Sequence, residues 1–188
     1  VPAAGVIYAP SDRWSLGLAF QPGRTVRQTR RLRNIFVEDL AFEGEVTTEG
    51  DIQLPAALGM GIAYTNGYRW VAALDAERSF WSDTKEGRFN TLDVAAGFLY
   101  RTGQEDPLVR TRRIELTGGV HYRSLYFATA SNEQISEVGL SLGLGVYTKN
   151  RSGRFRYTIE FGRRGDAAKH GVSERYILQM FSFTGWAR

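Results

Sequence analysis

The stretch LPAALGMGIAYTNGYRWVAALDAERSFW, residues 54–81, decides the fold. Leu58, Met60, Ile62 and Tyr64 recur at every second position, with Gly59, Gly61, Ala63 and Thr65 between them. That is the period of a strand, whose successive side chains point to opposite sides. Asn66 and Gly67 supply a tight turn, a pair suited to positive backbone φ. Beyond it Trp70, Ala72, Leu74 and Ala76 fall on one face, and Val71, Ala73, Asp75, Glu77 and Ser79 on the other. One face is oily and the other becomes acidic. A soluble two-layer protein turns its oily side inward and rarely makes strands this long. A membrane barrel turns it outward and needs about ten residues per crossing.

The same alternation recurs on both sides of this hairpin. Before it come residues 1–9 and 14–21, the latter with Trp14, Leu16, Leu18 and Phe20 against Ser15, Gly17, Ala19 and Gln21. After it come residues 92–101, 114–123, 138–146, 157–162 and 172–186, separated by polar or charged turns. The pattern predicts about nine strands and no competing helical period. Residues 35–49 stay open between the far end of a strand, a loop, and a short helix around Val37 to Phe42.

Composition bounds the class. The chain of 188 residues, 43% of them hydrophobic, suffices for one domain or one modest barrel, and no separate plug domain stands out. No apolar run approaches the roughly twenty residues of a spanning helix. The mean hydropathy of -0.30 is neutral on a barrel, because alternating strands average to low values. Absence of cysteine removes disulfides and thiolate metal sites. Val1 opens without a charged and apolar leader, so either a leader has been removed or the chain starts inside a longer one. The net charge is +4, but acids and bases are interspersed, so no nucleic-acid partner is indicated.

Aromatic residues gather at strand ends. Tyr8, Trp14, Tyr64, Tyr68, Trp70, Tyr100, Tyr147 and Trp186 mark one end, and Phe20, Phe80, Trp81, Tyr126 and Phe127 the other. Amphipathic rings favour the headgroup level, so two girdles flanking an apolar band predict an all-β, antiparallel transmembrane barrel in a bacterial outer membrane. A soluble sandwich or lipocalin-like barrel is the competing architecture, and it gives no reason for both girdles. Short turns put the first girdle at the periplasmic side.

The descent LPAALGMGIAY, the rise RWVAALDAERSFW, the segment GLGVYTKNRSGRFRYTIEFGRRGD and the closing FSFTGW resemble the carboxy-terminal half of the FadL-like long-chain fatty-acid transporters. That resemblance implies a barrel of about fourteen strands with an amino-terminal plug, so strands upstream of Val1 are expected to complete it. It also implies passage or binding of hydrophobic small molecules such as long-chain fatty acids. A second expectation, from another class, is a structural or interaction barrel that serves as partner or anchor in a larger envelope assembly.

The chemistry-bearing residues suggest no enzyme. Asp75, Glu77, Asp93, Arg101, Glu115, His121, Arg123 and Glu160 fall on the polar faces, where they either guide a solute through the lumen or pair with one another. Asp75 and Glu77 share a face, as an acid/base pair would, but no bounded sugar site accompanies them. His121 and His170 lack metal-ligand spacing. Ser124 lies three residues after His121, on the opposite face. GLGLGV is followed by no helix and does not make a phosphate loop. No catalytic, cofactor or metal residue is assigned. The basic run Arg24, Arg27, Arg30, Arg31 and Arg33 lies beyond the strand end opposite the short turns, where guanidinium forks suit lipopolysaccharide phosphates; a solvated loop is the alternative. Expected partners are therefore outer-membrane lipid, lipopolysaccharide, hydrophobic cargo and other envelope proteins.

Overall fold

Each backbone N–H and C=O of a strand needs a partner, and the chain meets that need almost entirely between sequence neighbours. The computed structural model describes residues 3–33, 45–67, 69–84, 88–102, 114–128, 132–148, 153–171 and 173–185. Eleven strands follow in order: β1 (Ala4–Ser11), β2 (Trp14–Gln21), β3 (Arg24–Arg33), β4 (Glu45–Leu54), β5 (Ala57–Thr65), β6 (Trp70–Ser79), β7 (Thr91–Arg101), β8 (Ile114–Ala128), β9 (Gln134–Tyr147), β10 (Gly153–Arg164) and β11 (Glu174–Gly185). One short helix, α1 (Ala167–His170), lies between the last two.

Nine strands form one antiparallel sheet in the order β1-β2-β5-β6-β7-β8-β9-β10-β11. They are the strands that the alternation marks. Among the described residues β1 and β11 remain its two free edges, so the sheet is open and not a closed ring. The turn between β5 and β6 is held by Asn66 N–H to the Trp70 carbonyl at 3.0 Å. It depends on Gly67, whose φ of 58° is left-handed backbone that a glycine adopts without steric cost.

Strands β3 and β4 pair only with each other, yet they prolong the β2–β5 ladder. Gln21 faces Ala57, and Arg24 faces Leu54. Pro22 and Gly23 intervene on one strand, Pro55 and Ala56 on the other, so the register does not shift. Prolines remove ladder donors on both sides and break the sheet there. Beyond the break the hairpin continues from the Arg24–Leu54 pair to the Arg33–Glu45 pair, about 30 Å of strand. The basic run is thus strand, not loop. Of the open stretch, residues 45–49 are strand, while residues 34–44 lie outside the described residues.

No hydrophobic side chain is buried among the described residues. Met60, Phe98 and Val120 are 56%, 53% and 52% exposed, on the face shared by Leu18, Leu74, Leu140 and Leu142. At 20–30 cal/mol per Å² an oily face this wide is not left to water; the solvent that suits it is hydrocarbon. Val138 to Val146 on β9 match one tilted crossing of about nine residues. No described helix is long and apolar enough to cross a membrane, which says nothing of crossing by strands.

Rings cluster at both ends of the band. Trp14 lies 4.8 Å from Tyr64 and Tyr64 5.5 Å from Trp70; at the other end Trp81 stacks on Tyr126 at 4.6 Å. Tyr147 departs from the expected girdle. Val146 occupies the oily face, so the next residue turns to the polar one, where the Tyr147 hydroxyl donates to Glu115 at 3.1 Å. Tyr68 and Trp186 lie outside the described residues.

The two faces of β9 make a direct test. Leu142→Arg sets a charge in the middle of the oily band and is expected to cost about 2–4 kcal/mol, whereas Ser141→Arg, one residue away on the polar face, is expected to cost under about 1 kcal/mol. Urea unfolding of the protein refolded in lipid vesicles reads both.

Candidate functional site

The polar face gathers all eight candidate residues, and strand register shows how. Glu77 faces Asp93, Asp93 faces Arg123, Arg123 faces Glu137, Glu137 faces Arg164, and Arg164 faces Glu174. One row of side chains thus runs across six strands from β6 to β11. One step along the strands, Asp75 and His121 flank Ala95. Glu160 faces Ser141, and Arg101 faces Glu115. The residues share a face but do not converge on a single point.

One group surrounds Glu115, whose side chain is completely buried. Its Oε2 accepts from the Arg101 Nε at 3.4 Å and the Tyr147 hydroxyl at 3.1 Å. Its Oε1 accepts from the guanidinium groups of Arg154 and Arg156. Gly145 lies beneath the carboxylate's stem. Three guanidiniums on one carboxylate leave the group positively charged.

A second group centres on Glu137. The guanidinium of Arg164 approaches its Oε2 to 2.6 Å, while its Oε1 faces the Tyr176 hydroxyl at 3.2 Å and His121 Nε2 at 3.4 Å. Tyr176 also reaches Glu160 at 2.9 Å. Arg123 donates through Nε to both Asp93 oxygens at 3.1 and 3.2 Å. Two glycines make room: a Cβ on Gly139 would collide with the His121 ring, and one on Gly162 with the Tyr176 ring.

Asp75 and Glu77 have no hydrogen-bond or ion-pair partner among the described residues. They face a cavity of about 700 Å³ whose far wall is Gly17, Ala19, Gly59, Gly61 and Ala63. Ser15, Asp93, His121 and Arg123 line the cavity as well, and Arg123 is spent on Asp93. Ser124 is engaged elsewhere: its Oγ accepts from the Leu92 N–H at 2.7 Å, on the face opposite His121. His170 Nδ1 accepts from the Asp166 N–H at 2.8 Å. Among the described residues no group of three or more acids and histidines could hold a metal ion.

Several members of these groups were not singled out from the sequence: Glu137, Arg154, Arg156, Arg164, Glu174 and Tyr176; Tyr147 was expected in a girdle instead. The alternation in GRFRYTIEFGRR, residues 153–164, already puts Arg154, Arg156, Glu160 and Arg164 on one face. Of the basic run, Arg27 pairs with Glu49 at 2.6 Å, both side chains being exposed. The backbones of Arg24, Arg30, Arg31 and Arg33 lie on β3.

A family model described as BamG matches residues 13–184. BamG is a component of the BAM outer-membrane assembly machinery, with no known catalytic role. Among solved structures the chain is similar to two of the toluene transporter TodX of Pseudomonas putida, a FadL-family protein. Both are 16% identical; one covers 96% of this chain and 48% of TodX at a TM-score of 0.55, the other 99% and 49% at 0.58. The chain therefore spans about half the length of TodX. No curated protein matches.

These findings correct two expectations. The family match replaces the FadL-like assignment, and the likeness to TodX at 16% identity is one of fold alone. The expected uptake of fatty acids or other hydrophobic cargo falls with that assignment; the partner-or-anchor expectation fits the family instead. The pattern that carried the resemblance, oily outside and small or charged inside, is what a bilayer asks of any such barrel. The family and the FadL-like fold put the chain in the bacterial outer membrane.

Two substitutions test the site. Glu115→Ala leaves three guanidiniums without their shared counter-charge and is expected to destabilise by about 3 kcal/mol. Gly162→Ala displaces the Tyr176 ring from Glu137 and Glu160 and is expected to cost about 1–3 kcal/mol; the same cost without any loss of Tyr176 order by NMR would exclude that route.

Proposed function

We propose, because the chain belongs to the BamG family, that it is a wall-forming part of an outer-membrane assembly subunit and holds protein partners rather than passing solute. The family match over residues 13–184 carries this reading. The polar face supports it: most of its charges are spent on one another, in the Glu115 and Glu137 groups, which suits a stiff wall better than a solute path. Closure follows the same reading. Hydrocarbon tolerates no unpaired strand edge, so β1 and β11 pair with further strands in the membrane, in a barrel of about fourteen strands.

The β3–β4 hairpin is the element we assign to partner contact. A two-stranded hairpin alone in water is marginal, and this one continues about ten residue pairs past the rim with neither outer edge paired among the described residues. Its exposed residues include Arg27, Glu49 and Ile52, a mixture that suits a protein surface. Subunits of the assembly machinery are the partners the family implies.

Detergent extraction of the full-length protein from outer membranes, followed by affinity isolation, is expected to recover assembly-machinery proteins in fixed ratio. Replacing the hairpin beyond Pro22 and Pro55 by a short turn is expected to keep heat-modifiable migration and abolish that recovery. Undiminished recovery would remove the hairpin from the contact. No recovery with the intact protein, together with lost uptake of hydrophobic compounds on deletion, would overturn the assembly reading itself.

A further inference from the structure

Charged residues also occur on the oily face, at one end only. On β10 the outward positions Phe155, Tyr157, Ile159 and Phe161 end in Arg163, and on β11 Phe183, Phe181, Gln179 and Ile177 end in Arg175. Gln179, the polar residue within this column, accepts from the Tyr157 hydroxyl at 3.2 Å. Arg163 and Arg175 are direct cross-strand partners, so two guanidinium stems leave the sheet side by side. Like charges directly opposite on neighbouring strands are destabilising.

Among the described residues one acid, Asp166, comes near them, at the limit of an ion pair with Arg163 and already accepting from the Ala168 N–H. Val138 is the register neighbour of Arg163 on β9. Glu137 and Glu174 point to the other face, towards Arg164. Arg163 donates to the Ser173 hydroxyl at 3.2 Å and lies 4.0 Å from Asp166. Arg175 has no hydrogen-bond or ion-pair partner among the described residues. Arg78 stands on the same oily face at the same end, its guanidinium 5.5 Å above the Phe80 ring. At the opposite end the outward strand positions are Trp14, Tyr64, Trp70, Tyr100, Val146 and Phe155, without a charge.

We propose that Arg163 and Arg175 form a site for the phosphate of a lipid headgroup, and that the headgroup is that of lipopolysaccharide. Long arginine stems run along apolar surface and deliver the guanidinium to the edge of the hydrocarbon. There a phosphate can accept paired N–H groups from both forks and remove the repulsion between them. The leaflet follows from the connections. The turns at Ser11–Trp14 and Thr65–Trp70 are short, as periplasmic turns are, and lie at the opposite end, whereas the β3–β4 hairpin rises from the arginine end. The arginine end then faces the outer leaflet, where lipopolysaccharide carries the phosphates.

The test uses the full-length protein purified in detergent and three probes: lipopolysaccharide, the same lipopolysaccharide treated to remove its phosphates, and inorganic phosphate. An Arg163→Gln/Arg175→Gln double variant is expected to bind intact lipopolysaccharide roughly tenfold more weakly than the parent. Parent and variant are expected to bind the dephosphorylated form equally. Without lipid the variant is expected to unfold close to the parent's midpoint, the removed repulsion offsetting the lost contacts to Ser173 and Asp166, which separates lost binding from lost fold. An Arg24→Gln/Arg27→Gln variant, on the hairpin, is expected to bind normally. Unchanged binding by the β10–β11 variant would overturn the proposal, as would inorganic phosphate binding as tightly as the lipid. So would loss of a co-purifying protein with lipopolysaccharide binding intact, because the arginines would then serve an acidic protein surface.

Discussion

The structure depends on one constraint: in hydrocarbon no backbone N–H or C=O can turn to water, so every strand must find its partner in another strand. The meander from β5 to β11 answers this at the least topological cost, since each strand pairs with its sequence neighbours. Once the ladder is fixed, the pleat sends alternate side chains to lipid and to the interior. The absence of any buried hydrophobic side chain among the described residues is therefore the expected condition of this wall. Its apolar surface is satisfied by the solvent outside it, and the interior must be stabilised by polar pairing.

That division explains the buried charge. A carboxylate as fully enclosed as Glu115 would be prohibitive alone, and it persists because Arg101, Arg154, Arg156 and Tyr147 converge on it from β7, β10 and β9. Glu137 repeats the arrangement near the other end with Arg164, Tyr176 and His121. Each group ties together strands that hydrogen bonds alone join only in pairs. Glycines opposite the ring-bearing residues let Tyr176 and His121 lie flat on the neighbouring strand, which brings their polar atoms to the shared carboxylate.

Much of this was legible from the alternation, because a period of two reports both the strand and its faces. The nine sheet strands follow from it. So does the placing of Asp75, Asp93 and Glu115 on one side, and even the inward turn of Tyr147 follows if the period is carried one residue past Val146. What it could not give was association in space. That Arg154 and Arg156 meet Glu115 requires the register between β8, β9 and β10, and register is set by cross-strand pairing, not by composition. The hairpin beyond Pro22 was obscured by its arginines: Val26, Ile52 and Leu54 do share one face, but Arg24, Gln28 and Gly50 interrupt it, so the basic run hides the alternation. The family was misread for a related reason: the bilayer imposes the same pattern on transporters and on assembly subunits, and pattern alone does not separate them.

The interior is uneven, and the unevenness runs along the sheet. From β8 to β11 it is filled by large, mutually bonded side chains, whereas from β1 to β5 it is floored by Gly5, Ser15, Gly17, Ala19, Gly59, Gly61 and Ala63 beside a cavity of about 700 Å³. A wall of small residues gains little from side-chain pairing, so its cohesion rests on the backbone ladder and on the lipid outside. The prolines at 22 and 55 interrupt that ladder on the same two strands, β2 and β5, from which the long hairpin departs. The half of the sheet with the fewest internal ties is thus the half that carries the projecting element. A force on the hairpin would reach these strands before the cross-linked β8–β11 wall, which is held at both ends by buried charge.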